Sequence, residues 1–177
     1  MDTINSEFLQ LTRDQFRELR QYGDKSFAQI TEEGMHWTPD VESNSIAVII
    51  QHLHGNMRSR WTDFFSSDLE KPDRNRDGEF EPRKLSKAEL LALWDEGWGY
   101  VSATMDELAP DDLNRMVAIR GVDTSALKAI NRQIAHYAYH VGQIVYIAKH
   151  LASAEWQTLS IARGKSGEYV PDPKTGK

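Results

Sequence analysis

The chain has 177 residues, 40% of them hydrophobic and 27% charged, which suits one well-buried domain rather than two. It contains no cysteine, so disulfides, thiolate metal ligands and a cysteine nucleophile are excluded. The formal net charge of −6 disfavours general binding to the phosphate backbone of nucleic acids. The sequence shows neither a targeting segment nor a membrane-spanning run, so we expect a cytoplasmic protein with no membrane partner.

Apolar side chains recur at helical spacing in four long segments, which predicts four helices. The predicted bounds are Ile4 to about Glu33, Ser45 to about Phe65, Ser86 to Ala109, and Ala126 to Ala152. Gly34 is expected to end the first helix, and Ser43 or Asn44 to cap the second. Ser86 and Glu89 have the spacing of a capping box at the start of the third. Thr124 or Ser125 is expected to cap the fourth.

The connections between these helices carry further predictions. Residues 66–83 are polar and contain Pro72, Gly78 and Pro82, which predicts a long loop of a length that is often functional. Met116–Arg120 is a short β-prone run, and Thr158–Arg163 is a second candidate strand that would pair with it.

The fold class that follows is all-α, a four-helix bundle with long crossover connections and a small two-stranded β element. Residues 1–166 are expected to form a single domain. The polar residues 167–177 are expected to form a mobile tail.

The last predicted helix carries the residues that indicate chemistry. His136 and His140 lie four residues apart, about one helical turn, so both imidazoles project from one side and can hold one metal ion. The alternative is a chance pair of surface histidines. Tyr137 stands where the metalloprotease HExxH motif has its general-base glutamate, so that route to peptide hydrolysis is disfavoured.

A third ligand is expected from the second predicted helix, which contains His52 and His54. These two side chains point about 200° apart, so one helix does not easily offer both to a single ion. Periodicity alone does not choose between them.

Four segments carry a resemblance to a known family: HLHGNMRSRWTDFF, EKPDRNRDGEF, INRQIAHYAYHVGQIVYIAKHL and WQTLSIARGKS. Together they resemble the DUF1572 branch of the DinB/YfiT-like superfamily, from the second helix to about Ser166. The resemblance implies a four-helix bundle, often dimeric, that binds a divalent metal through one histidine of the second helix and an HxxxH pair of the fourth. His52, His136 and His140 match these ligands, and His54 occupies a position that is usually small.

Characterised relatives in that superfamily include transferases and isomerases that use bacillithiol, mycothiol or glutathione. The resemblance therefore implies a metal-dependent enzyme, a thiol S-transferase or a hydrolase, that activates an external low-molecular-weight thiol for attack on a small-molecule substrate. On ligand type, three imidazoles suit zinc, nickel, copper, cobalt or iron, and zinc or nickel is our leading expectation. The alternative is a non-catalytic metal-binding bundle that acts in a stress response or as an interaction protein.

Further residues are candidates for orienting the ligands or binding substrate: His54, Asn56, Arg58, Arg60 and Gln143. Arginine binds carboxylate or phosphate through two parallel hydrogen bonds, so Arg58 and Arg60 are candidate anion clamps. Arg74, Arg76 and Arg132 would join them if the long loop folds over the site. The alternative for each arginine is a surface ion pair.

Overall fold

The computed structural model describes residues 2–170. Within this range the chain forms five α-helices and two short antiparallel strands. The helices are α1 (Asp2–Phe27), α2 (Glu32–His36), α3 (Ile46–Trp61), α4 (Lys87–Glu107) and α5 (Ala126–Ala152), and the strands are β1 (Met116–Ile119) and β2 (Val122–Ser125). Of the predicted tail, residues 171–177 lie outside the described range.

The four long helices pack around a common core. α3 packs against α4 and α5, and α1 packs against α5 and α4. Large aromatic side chains fill the centre, where Phe16 of α1 contacts Trp61, Trp98 and Tyr137 at ring distances of 5.5 to 6.1 Å. The mostly helical class with a small two-stranded element is confirmed, whereas the bundle type implied by the resemblance stays a prediction.

The first predicted helix is in fact two helices. α1 ends at Phe27, and Thr31 starts α2 by accepting a hydrogen bond from the backbone N–H of Gly34. Gly34 therefore lies inside α2, and the prediction that it ends a single long helix is wrong. A threonine that caps a new helix outweighs the continuing apolar pattern, because it satisfies an N–H that would otherwise lack a partner.

The helices that carry the site have well-defined ends. Ser45, rather than Ser43 or Asn44, caps α3, and α3 ends at Trp61, four residues before the predicted end. The capping box of Ser86 and Glu89 at the start of α4 is confirmed. The predicted bounds of α5 are also confirmed, and Ser125 caps this helix.

The strand pairing differs from the prediction. β1 pairs with β2, the segment that directly follows it, and Thr158–Arg163 forms no strand. Arg120 and Gly121 both have positive φ, at 55° and 71°, which is the conformation of a two-residue hairpin turn. Asp68 stabilises the turn by accepting hydrogen bonds from both backbone N–H groups, at 2.9 and 2.6 Å.

Residues 66–83 form a loop anchored to its surroundings, with one short 3₁₀-helix at Gly78–Phe80. The backbone of Leu69 donates to Ala118 of β1 and accepts from the Ser59 hydroxyl of α3, and its side chain is buried. These anchors fix the loop against α3, so that Glu79 and Phe80 lie beside His52.

None of the helices in residues 2–170 combines the length and apolar character needed to cross a membrane.

Candidate metal centre

Three histidines from two helices meet between α3 and α5. Each of His52, His136 and His140 offers one ring nitrogen, and these three atoms all lie within 4.8 Å of one another. The Nε2 atoms of His52 and His136 are 3.2 Å apart. That is close to the edge of a tetrahedron with metal–nitrogen bonds of 2.0–2.1 Å, about 3.3 Å. His52 and His140 are buried and His136 is half-buried.

A buried carboxylate orients His52. Its Nδ1 lies 2.9 Å from Oε2 of Glu79. Burial would raise the pKa of Glu79, but hydrogen bonds from Arg74 and His52 outweigh it and hold that pKa below its ordinary value. An ionised carboxylate only accepts, so Nδ1 carries the proton and Nε2 presents its lone pair to the cluster.

Arg74 in turn holds Glu79 through two parallel hydrogen bonds, at 2.7 and 2.8 Å. The Arg74 side chain is only 3% exposed. A buried guanidinium that binds both carboxylate oxygens fixes the plane of the carboxylate, and so fixes the direction of its bond to His52. The chain of contacts His52–Glu79–Arg74 therefore links the candidate ligand to the 66–83 loop.

The two histidines of α5 have different partners. Nδ1 of His140 donates to the side-chain oxygen of Gln143 at 2.9 Å, which leaves its Nε2 free to face the cluster. Nδ1 of His136 is buried and has no hydrogen-bond partner among the described residues. Burial, with the neighbouring His140 and His52, lowers the pKa of His136 to about 3. Burial, with His52, lowers the pKa of His140 to about 4.

These observations fit a divalent metal ion. A histidine must be neutral to bind a metal, and the low pKa values of His136 and His140 keep both neutral at physiological pH. At 3.2 Å the Nε2 atoms of His52 and His136 share either a proton or a cation, because two facing lone pairs would repel. The contact of His52 with Glu79 also matches the carboxylate–histidine–metal arrangement that orients metal ligands in proteins.

The walls of the cluster are closely packed. Phe80 stacks on the ring of His52 with a centroid distance of 4.6 Å and is itself 41% exposed, so it covers the cluster on the loop side. Gly55 of α3 lies against Glu79, and a Cβ atom at that position would be 2.3 Å from Glu79 Oε1. The carboxylate can therefore approach α3 only because residue 55 has no side chain.

The other predicted residues of α3 lie elsewhere. His54 points away from the cluster and pairs with Glu96 of α4, so it does not join the other three histidines. Arg58 pairs with Asp73 and is half exposed. Asn56 accepts a hydrogen bond from the buried Tyr137 hydroxyl at 3.1 Å and helps to fix the two helices against each other.

Arg60 is buried and binds Glu70 at 2.8 Å and the backbone oxygen of Leu69. The surface ion pair that was the alternative to an anion clamp describes Arg58, whereas the guanidinium of Arg60 forms a buried ion pair with the loop. Arg74 does lie near the cluster, as expected if the loop folds over, whereas Arg76 binds Glu70 at 3.3 Å and is 45% exposed.

Sequence reasoning missed two residues of this site, Glu79 as the partner of His52 and Gly55 as the residue that admits it. The loop conformation that brings Glu79 to α3 leaves no periodic trace in the sequence. Gly55, in contrast, is visible in the sequence. A glycine inside a helix costs about 1 kcal/mol relative to alanine, so its presence indicates the close approach of another group.

Comparison with known proteins gives one match. A family model described as "Protein of unknown function (DUF1572)" matches residues 3–165. No curated protein and no solved structure matches the chain. Since the matched range covers nearly all of the 177 residues, the chain belongs to the DUF1572 family.

Proposed function

We propose that this protein binds a divalent metal ion through His52, His136 and His140, and that it uses the ion to activate a low-molecular-weight thiol for transfer to a small-molecule electrophile. The observation that carries the metal-binding part is the convergence of three ring nitrogens within 4.8 Å. The thiol-transfer part depends on the resemblance to the DinB/YfiT-like superfamily. Zinc or nickel is the proposed metal.

The chain's own groups suit this chemistry. Three neutral imidazoles leave a divalent ion its full charge, and such an ion supplies Lewis acidity that deprotonates a thiol or acidifies water. Glu79 and Gln143 hold two of the rings in the orientation that presents Nε2. Phe80 limits the access of water from the loop side, which strengthens electrostatic interactions in the site.

One observation favours a second candidate, a metal that only stabilises the fold. His52 and His140 are 5% and 8% exposed, and a closed site between α3 and α5 would tie the two helices together. Under this alternative a chelator lowers the melting temperature, but no thiol is consumed. The protein would then be a non-catalytic metal-binding bundle that acts in a stress response or as an interaction protein.

The remaining parts of the proposal come from the resemblance. We propose that the four long helices form a bundle of the DinB/YfiT-like type and that the protein is a homodimer. Light scattering of the purified chain tests the second point, and a monomer at micromolar concentration would contradict it.

The test of function begins with elemental analysis of untagged protein purified without chelators. We expect about one divalent ion per chain, and metal-free protein contradicts the proposal. A panel of thiols and electrophiles then separates the two candidates. Metal-dependent and thiol-dependent loss of an electrophile supports the transferase, whereas stable metal binding without turnover supports the second candidate.

A further inference from the structure

A pocket lined by several charged side chains lies along the same two helices as the histidine cluster. It has a volume of about 480 Å³ and opens between the β-hairpin and the first turns of α5. Four cationic side chains line it, those of Arg60, Arg120, Lys128 and Arg132, against the single carboxylate of Asp123. Such a concentration of positive charge is unexpected on a chain with a net charge of −6.

Helical spacing connects this pocket to the histidines. On α5, Lys128, Arg132, His136 and His140 follow one another at intervals of four residues and so form one stripe. On α3, His52, Asn56 and Arg60 repeat the same interval. The pocket therefore lies between the same two helices as the histidines, about 6 Å along α5 from His136 and about 12 Å along α3 from His52, at 1.5 Å per residue.

The pocket has more positive charge than its neighbours neutralise. Glu70 is shared among four arginines, with contacts of 2.8 Å to Arg60 and 3.3 Å to each of Arg74, Arg76 and Arg120. One carboxylate cannot neutralise four guanidinium groups, and Glu79 pairs with only one of them. A local excess of positive charge remains beside the pocket.

Two of the lining cations are free to bind a ligand. Among residues 2–170, the side chains of Lys128 and Arg132 form no hydrogen bond or ion pair, and both are exposed. The guanidinium of Arg60 is already bound to Glu70 and Leu69. Arg60 therefore adds positive electrostatic potential to the pocket rather than a free hydrogen-bond donor.

We infer that this pocket binds the anionic group of a small molecule, a carboxylate or a phosphate, through Lys128 and Arg132. The inference deepens the proposed function and depends on it in one respect: the molecule whose anionic group binds here is the substrate of the neighbouring metal site. The pocket volume lies in the range of small-molecule sites. The arginine fork and the lysine ammonium are the donors that carboxylate and phosphate groups accept.

The first experiment uses the full chain without metal, which separates the pocket from the proposed metal function. Isothermal titration in low-salt buffer with inorganic phosphate and, separately, with succinate is expected to show saturable binding of at least one of them. The stronger of the two identifies a phosphate or a carboxylate ligand. The absence of saturable binding by both would overturn the inference.

Matched variants locate the binding. The double variant Lys128→Gln/Arg132→Gln is expected to bind the preferred anion at least 10-fold more weakly. The control Lys149→Gln removes a charge from an exposed position at the other end of α5 and is expected to keep the wild-type affinity. Equal affinity of the double variant and the wild type rejects the assignment to this pocket. Zinc content measured in parallel is expected to be the same in all three proteins.

The last step tests the connection to the metal. In cobalt-loaded protein, ³¹P relaxation of bound phosphate is expected to be enhanced over zinc-loaded protein, with a distance to the ion of at most about 12 Å, the span of eight helical residues. Bound phosphate without enhancement contradicts the connection to the metal but leaves the anion-binding pocket in place. Metal-free wild type that still binds phosphate, but never takes up metal, instead contradicts the proposed function alone.

Discussion

The two sides of α3 carry histidines two residues apart, each 2.9 Å from a glutamate, yet the two pairs differ in almost every other respect. The side chains of His52 and Glu79 are 6% and 9% exposed, whereas those of His54 and Glu96 are 21% and 54% exposed. Distance alone therefore does not distinguish a ligand-orienting pair from a surface pair.

What differs is the surroundings of the carboxylate. Glu79 is bound by the buried Arg74, and the His52 ring that it contacts belongs to the cluster with His136 and His140. Glu96 instead accepts from Tyr100 and faces solvent. Water screens the outer pair and contributes competing hydrogen bonds, so the same contact has a larger effect on the inner side.

The largest difference is expected from removing each carboxylate charge. Glu79→Gln leaves Arg74 buried with only a longer contact to Glu70, so the free energy of unfolding is expected to fall by about 3 kcal/mol. Metal affinity is expected to fall about 10–100-fold, because the partner that orients His52 is weakened. Urea unfolding and competition with a chelator measure the two effects.

The matched control is Glu96→Gln. The loss of the Glu96 charge is expected to lower the free energy of unfolding by at most about 1 kcal/mol, as for an exposed ion pair, and to leave metal affinity unchanged. Equal effects of the two substitutions would mean that the burial of Glu79 has no functional consequence.

A smaller effect is expected from Gly55→Ala. The added methyl group would lie 2.3 Å from Glu79 Oε1, so the carboxylate must move and its bonds to Arg74 and His52 must lengthen. We expect a loss of about 1–3 kcal/mol in unfolding free energy and weaker metal binding.

Gly99→Ala is the control for this substitution, since nothing lies within 4 Å of a Cβ atom at that position of α4. It is expected to stabilise the protein by about 0.5–1 kcal/mol. If Gly55→Ala behaves in the same way, the carboxylate does not require the glycine.

The last prediction concerns the pH dependence of stability. His136 and His140 have folded pKa values of about 3 and about 4, below the value of about 6.5 for an unfolded histidine. Between about pH 4 and 6.5 the unfolded chain therefore binds more protons, so the metal-free protein loses stability as the pH falls through this range. His136→Gln removes one of these groups and is expected to flatten the pH dependence of urea unfolding; an unchanged slope would contradict the burial of His136 as a neutral group.

Sequence reasoning anticipated the elements whose information is local. The bounds of α5 follow from its apolar period and its Ser125 cap, and the start of α4 follows from Ser86 and Glu89. The sequence does not predict the hairpin, because Thr124 and Ser125 also fit a helix cap, although residues 122–125 form β2.

The residues of the site likewise divide into those that local sequence predicts and those that depend on tertiary contacts. The spacing of His136 and His140 is local and predicts their shared side of α5. The choice of His52 over His54 came from the resemblance, because it depends on which side of α3 meets α5. The sequence does not predict Glu79 as the partner of His52, because the position of Glu79 depends on how Leu69 and Arg74 anchor the 66–83 loop.

The central claim is that the inner side of α3 supplies a metal ligand and the outer side does not. It is tested most directly by the metal content of His52→Gln and His54→Gln, purified side by side without chelators and loaded with zinc. We expect His54→Gln to retain about one ion per chain and His52→Gln to lose it. Retention of the ion by His52→Gln, or its loss from His54→Gln, would contradict the claim.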